Sequence, residues 1–564
     1  MKLDKIKHNK ILLSVFYFIF LMTITFSSFS FFAYSNITSK HYTFAIGAFI
    51  LLGISLLTGR GRVEINIIDI LVCIFLIYIL AYTIIDSISY INLYRVLLTL
   101  SFVFIYISFK IQHCKYYSQS LLAIRWCCIS LALYALVESI APYNLLAFFN
   151  IANCFDNQSG IAGCIIALTP FCTYLKARSN YLRLFKSICI ACIVLAIIIL
   201  KSRAGFISLS FILILYYISD KRIKKETIFA ISLLIIAIIV FTLSIKIDSS
   251  KGRYFILLIS FNLIFNAIFK GNGVGSFLEL YMNAQAQYFS VNTYSNYQDL
   301  ADKISHPLNE YVLLVIEYGI IPFIILVIFV ITIIINFKRS SPFHISLFIV
   351  AFFSLLSYPF RYPIIIFISA VCIANVRIKS IMVINVKASH KILFALLLIP
   401  FLLIYFKCFS FDYKWGIIAK ESMYISPNST TLKYNYLYNN NKHNGNPYFL
   451  YNYAYMLNMT GDYELSNEII SNSKLICSKY ESQMLLGENY LLLNKINEAE
   501  ICFIQACNMI PNRFMPLYKL LVIYRNCGLI EKEQNMAKII INKKVKIQSH
   551  IVNLIKDEAR KSLM

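Results

Sequence analysis

The sequence predicts an all-α protein: a polytopic membrane part of about 12–13 transmembrane helices, followed by a helical-repeat tail. Three observations predict it. The chain has 564 residues, 59% of them hydrophobic, with mean hydropathy +0.70, outside the range of an ordinary soluble domain. Apolar runs of about 17 to 25 residues, the length that crosses a bilayer, recur along the first two thirds. From about residue 412 the composition turns polar and rich in Asn and Tyr, and no further run follows.

The runs place helices at roughly 11–32, 41–57, 65–84, 91–109, 121–140, 159–175, 187–200, 204–219, 226–245, 310–336, 343–358, 363–376 and 391–408. The first run has no small-residue cleavage site after it and reads as a retained span. The 187–219 stretch fits a bent pair or a re-entrant hairpin. The N-terminus "MKLDKIKHNK" is basic and is assigned to the cytoplasm. Alternate loops then hold Arg60 and Arg62, Lys110 and Lys115, Lys176 to Lys186, Lys221 to Lys225, Lys338 and Arg339, and Arg377 to Lys387. All fall on one side, as the positive-inside pattern requires. That pattern accounts for the net charge of +25. With no aromatic–basic platform and no zinc spacing, it removes the nucleic-acid reading.

The chain therefore divides into a membrane domain, 1–410, with a large outer loop at about 246–309, and an outer tail, 411–564. The tail carries a weak repeat: "TGDYELSNEII" (460–470), "LNKINEAEICF" (493–503) and "CGLIEKEQNMA" (527–537). Pro511 closes a helix in the middle unit. The pattern resembles tetratricopeptide repeats, in which stacked helix pairs share a core and present concave binding surfaces. A protein partner or protein acceptor is expected there. Of 15 cysteines most lie in or beside spans. Cys477, Cys502, Cys507 and Cys527 are in the tail; spacing does not fix their pairing.

Positive charge on the outer face breaks the pattern. Arg203 in "KSRAGF", Arg253 in "KGRYF" and Arg361 in "YPFRYP" sit there. A guanidinium is a planar donor fork suited to phosphate, so these three are candidates to hold a lipid diphosphate; the alternative is that each snorkels to headgroups alone. "KGNGVGSF" (270–277) lacks the context of a nucleotide loop; Gly273 and Gly275 read as turn formers. "YMNAQAQYF" (281–289) is either the lining of a sugar groove or an interfacial aromatic helix. In "SHPLNEYVLLVIEYGI" (305–320) His306 is the candidate proton-transfer group. Asn309 caps the helix that begins at Glu310 or Tyr311. Glu310 either orients His306 or binds an acceptor hydroxyl. Glu317, deep in the same helix, faces a polar cavity or pairs with another helix.

The segments "KSRAGF", "KGRYFILLISFNLIFNAIFKGNGVGSF" and "HPLNEYVLLVIEYGIIP" together resemble the O-antigen ligase and polymerase family, which includes protein O-oligosaccharyltransferases. The resemblance covers roughly residues 190 to 330, and the rest of the membrane part by topology only. It implies a bacterial inner-membrane enzyme with its tail in the periplasm. Such an enzyme moves a glycan from undecaprenyl diphosphate to an acceptor: lipid A–core, a protein Ser or Thr, or a growing polymer. It implies no cofactor and no metal. By that likeness Arg203 and Arg253 map to the family's arginine positions and "HPLNEY" to its histidine motif. Joined to the residue reading above, this gives the catalytic role to His306, Glu310 and Arg253, diphosphate binding to Arg203, Arg253 and Arg361, and support to Asn309, Tyr311, Glu317, Gly273 and Gly275. This sequence departs from the family in having Leu308 where a second histidine precedes the asparagine, and Pro322 where a glycine usually follows "EYGI". The competing readings are a transporter of lipid-linked sugars and a non-catalytic envelope scaffold.

Overall fold

In a computed structural model, residues 2–58, 62–86, 90–111, 117–140, 154–155, 157–174, 179–219, 247–293, 295–338, 341–376, 378–385, 391–392, 395–440 and 445–563 are described. They form an all-helical chain with a single two-stranded ribbon among them. The first helices are α1 (Lys2–Phe26), α2 (Ser35–Thr58), α3 (Ile67–Asp86), α4 (Tyr90–Ile111), α5 (Tyr117–Ile140), α6 (Gln158–Thr173), α7 (Asn180–Ile199) and α8 (Arg203–Ser219). The helix expected at 226–245 lies outside the described residues. The 187–219 stretch is two helices. Five segments are long and apolar enough to cross a membrane, by length and composition: Ile37–Leu57, Ile67–Asp86, Tyr90–Ile111, Ser120–Ser139 and Asn180–Ile199.

The outer loop expected at 246–309 is largely helical. It contains α9 (Ile247–Asn266) and α10 (Ser276–Val291). The single helix expected at 310–336 is two, α11 (Glu310–Tyr318) and α12 (Ile320–Ile335). The break is Gly319, whose φ of 80° lies in the left-handed region, where only glycine sits without strain. Then follow α13 (Pro342–Leu356), a 3-10 turn at Pro359–Arg361 and α14 (Pro363–Asn375). In α12 only Pro322 and Ile333 are buried, while Ile321, Ile324, Ile328 and Ile331 stay exposed.

The ribbon pairs β1 (Arg62–Ile65) with β2 (Met382–Asn385), antiparallel, with Arg62 opposite Asn385. It joins two of the basic loops that the sequence places on one side. At the opposite end of the helices gather Asp86, the glycine turn and the 357–362 turn. Val274 N there donates to Asp86 at 3.1 Å.

The last expected span, 391–408, is replaced by α15 (Leu398–Glu421), which runs unbroken past residue 410. Behind it come α16 (Pro427–Asn440), α17 (Pro447–Met459), α18 (Tyr463–Lys474), α19 (Tyr480–Leu492), α20 (Ile496–Met509), α21 (Met515–Asn526), α22 (Ile530–Asn542) and α23 (His550–Lys561). The second helix of each pair begins at Tyr463, Ile496 and Ile530, the interval read from the sequence. Each pair turns through a left-handed residue: Gly461, Asn494 and Gly528. Each turn also makes the same backbone bond, from Asp462 to Leu457, Lys495 to Tyr490 and Leu529 to Tyr524. That is the six-residue closure of a Schellman cap, which satisfies the last carbonyls of the first helix. The tail cysteines are free thiols.

The tail is packed into the rest of the molecule. Phe411, Trp415, Phe449 and Tyr453 belong to the same core as Tyr42, Phe104 and Phe367. Met509 and Ile510 complete a second core built from Phe255, Tyr281, Phe289 and Ile316.

Candidate functional site

The site is built around the 356–361 turn between α13 and α14. Arg203 begins α8, directly after Ser202, whose hydroxyl accepts from Gly205 N at 3.1 Å. Its guanidinium donates to Ser250 Oγ at 2.7 Å, tying "KSRAGF" to the start of "KGRYF". Arg253, one turn along α9, donates to Leu356 O at 2.8 Å, an orphan carbonyl at a helix C-terminus that favours a cation. Burial, then the neighbouring Arg203, hold the Arg253 pKa below the ordinary arginine value, and Tyr358 opposes them. Two guanidiniums held close enough to repel one another favour an anion between them.

Asn309 is the N-cap of α11. Its side-chain oxygen accepts from Tyr311 N at 3.0 Å and Val312 N at 3.1 Å, and its amide donates to Leu355 O at 3.1 Å. Tyr311 anchors the same helix by donating to Ala351 O at 2.7 Å. Glu310 accepts from Phe360 N at 3.0 Å, so it holds the turn that carries Arg361. The Arg361 guanidinium lies over the Tyr358 ring at 5.9 Å. The His306 ring is 4.9 Å from the same ring. Tyr358 is therefore the hub, and Asn157 donates to its hydroxyl.

His306 is held in one tautomer. Leu308 N donates to its Nδ1 at 3.0 Å. A backbone amide only donates, so Nδ1 is unprotonated and the ring proton of the neutral imidazole sits on Nε2. Nε2 faces Glu310 Oε2 at 3.6 Å. Neither ring nitrogen offers a free lone pair to a substrate, whereas Glu310 does. Leu308 has a φ of 57°, which costs a leucine about 1–2 kcal/mol. Its backbone serves the histidine while its side chain packs against the second core.

Glu317 does not reach this turn. It pairs with Arg95 of α4 at 3.3 Å, and 4% of its side chain is exposed against 42% for the arginine. The arginine side chain is partly exposed and the carboxylate is buried. Glu317 still lies within electrostatic range of His306 and Glu310. The glycine turn sits beneath. Gly273 N donates to Glu317 O at 3.1 Å and Asn272 N to Ile316 O at 2.8 Å. Gly273 and Gly275 both have positive φ, 101° and 80°. They shape a turn that locks α11; they are not at the 356–361 turn. In "YMNAQAQYF" Tyr281, Gln285 and Phe289 are buried and so are not a groove lining, because that face of α10 meets the tail, where Gln285 donates to Met509 O at 2.6 Å.

Sequence reasoning missed His41, Arg95 and Tyr358. His41 Nε2 donates to Arg361 O at 3.2 Å and Nδ1 accepts from Tyr94 at 2.6 Å. A charged residue inside an apolar run was the available signal for Arg95. Among the described residues no grouping of three His, Cys, Asp or Glu side chains is placed to hold a metal ion.

No protein-family model matches the sequence, and no curated protein does. Among solved structures, one titled "Crystal structure of APC/C hetero-tetramer Cut9-Hcn1" is similar over 82% of this chain and 76% of that chain. The identity is 9% and the TM-score 0.23. Likeness at that level carries no inference about fold or role.

Proposed function

We propose that the chain is a membrane glycan transferase of the O-antigen ligase type, working at the outer face of a bacterial inner membrane, with a tail of tetratricopeptide type. The observation that carries this reading is the gathering of Arg203, Arg253, Arg361, His306 and Glu310 about the 356–361 turn and the segments it holds, at the end of the helices opposite the two-stranded ribbon. In this reading an acceptor hydroxyl attacks C1 of the sugar on the lipid diphosphate. The bond from C1 to the diphosphate oxygen breaks, and the diphosphate leaves with the electron pair. The arginines neutralise the charge that develops on it. Glu310 takes the hydroxyl proton, held in place by His306 and by the Phe360 amide. The exposed apolar faces of α3, α7 and α12 support burial in lipid.

One observation favours transport instead. The break at Gly319, beside the pair of buried Glu317 with partly exposed Arg95, is the kind of interrupted helix that transporters use. Against that reading, the polar groups cluster at one end and not at mid-depth.

The test is deletion of the gene, restored with wild type or Arg253→Ala, while undecaprenyl-linked glycan and its products on lipopolysaccharide, polymer and protein are followed by gel and mass spectrometry. Loss of one product class with build-up of the carrier-linked glycan is expected in both deletion and variant, with transfer reduced on the order of 10²-fold in Arg253→Ala. Normal transfer by the variant at wild-type expression sinks the assignment.

A further inference from the structure

The seam between the tail and the outer segment holds polar groups that the transfer reaction does not use. Lys479 is 7% exposed. Its ammonium lies 3.6 Å from the Tyr448 ring centroid and 5.9 Å from that of Tyr451. Among the described residues it has no hydrogen-bond acceptor and no ion-pair partner. The side chain is largely buried, and the ring face makes up only part of the hydration that its ammonium gives up. Burial holds its pKa below the ordinary lysine value.

Lys479 is also the N-cap of α19 and makes no side-chain capping bond, so the first-turn amides of a 13-residue helix are left uncapped there. Two more polar atoms of that turn are buried without a partner, Glu481 Oε2 and Ser482 Oγ. The other Glu481 oxygen accepts from Lys303 at 3.0 Å, three residues before His306 in the chain. Tyr34, 47% exposed, stands edge-on to Tyr448 at 5.0 Å. Arg361 lies within electrostatic range of Tyr448. The seam is thus continuous with the site.

These groups ask for a ligand with three properties. A negative group answers Lys479 and the uncapped helix start. A hydroxyl donor answers Glu481 Oε2. A flat apolar face answers the tyrosine rings. We propose that Lys479, Glu481 and Tyr448 form a subsite for a negatively charged sugar, a uronate or a phosphorylated residue, within the glycan. The choice of a saccharide over a peptide rests on the transferase reading above.

The test measures binding and not transfer. The full chain in detergent carries two tryptophans. In a Trp126→Phe background the remaining one, Trp415, lies 5.7 Å from Tyr34 and reports on the seam by fluorescence. The titrants are a glucuronate-containing disaccharide, its neutral counterpart, inorganic phosphate and an acidic tetrapeptide. The acidic disaccharide is expected to bind saturably and most tightly. Lys479→Met is expected to weaken it at least about tenfold, the scale of a lost charged hydrogen bond, while Lys479→Arg keeps most of the binding. Lys479→Met is expected to melt no lower than wild type, since methionine keeps the apolar stem that packs beside the Tyr448 ring. Wild-type affinity in Lys479→Met overturns the subsite. So does equal binding of the neutral sugar, of phosphate alone or of the peptide. Arg253→Ala is expected to bind the disaccharide normally, so loss of the transfer reading leaves this result standing, and the reverse.

Discussion

Left-handed turns occur in two regions of this molecule for different reasons. In the tail, Gly461 and Gly528 have φ of 87° and 66°, and a Cβ at either would meet nothing within 4 Å. At the equivalent turn of the middle pair the residue is Asn494, φ 57°. Near the site, Gly271 and Gly319 have φ of 74° and 80°, but a Cβ would come within 2.6 Å of Glu317 O and 2.3 Å of Phe269 O. The tail needs a backbone conformation that an asparagine also supplies. The site needs that conformation and the absence of a side chain, because two turns interlock backbone to backbone.

The largest break in that comparison is Gly319→Ala against Gly461→Ala. The first forces backbone apart at the junction of α11 and α12 and is expected to cost more than about 3 kcal/mol. The second adds only a backbone penalty of about 1 kcal/mol. Urea unfolding in detergent compares them, and equal losses would refute the interlock. Charged pairs sharpen the contrast. Arg95→Leu leaves the buried Glu317 carboxylate without its partner and is expected to cost about 3 kcal/mol or more. In the tail, Lys519→Ala removes a half-exposed bond to Glu488 at 3.0 Å and is expected to cost at most about 1 kcal/mol. A double-mutant cycle on each pair reads the difference.

The boundary between the two regions carries a pH-dependent effect. Asp412, where α15 passes from one region to the other, is 3% exposed and accepts from Tyr42 at 2.7 Å and Tyr90 at 2.5 Å. Burial raises its pKa from 3.8 to about 6, against the pull of both tyrosines. Between those values the folded state binds more protons than the unfolded one. The protonated form is therefore the more stable in the fold, and this group's contribution falls as pH rises from about 4 to about 6. By linkage the ionised form costs up to about 3 kcal/mol. Asp412→Asn is expected to flatten that part of the stability–pH curve and to match wild type or exceed it at pH 7. An unchanged slope would show that the carboxylate is not the titrating group.

Much of the architecture was legible. Apolar runs located most helices because length and hydropathy are local properties, and the recurring tail motif gave the interval of its helix pairs. Asn309 was legible as a cap for the same reason: its partners, Tyr311 and Val312, are adjacent in sequence. The break at Gly319 was not, because a lone glycine in an apolar run is decided by Phe269 and Gly271, which come from another segment. His41 and Arg95 meet Arg361 and Glu317 across much of the chain, and no local pattern records such pairs. The buried face of α10 was misread because Met509 and Ile510, which cover it, belong to the tail.

The seating of Met509 and Ile510 among Phe255, Tyr281 and Ile316 has a consequence for the order of synthesis. A nascent chain that has made residues 255–316 possesses the apolar seat without its occupants, and the ribbon cannot close on Arg62 until Asn385 has emerged. The arginine-rich end is therefore assembled before it is braced. It stays unfinished until the ribosome has translated the second helix pair of the tail, so a chain that stops short of Met509 leaves this apolar seat open to solvent.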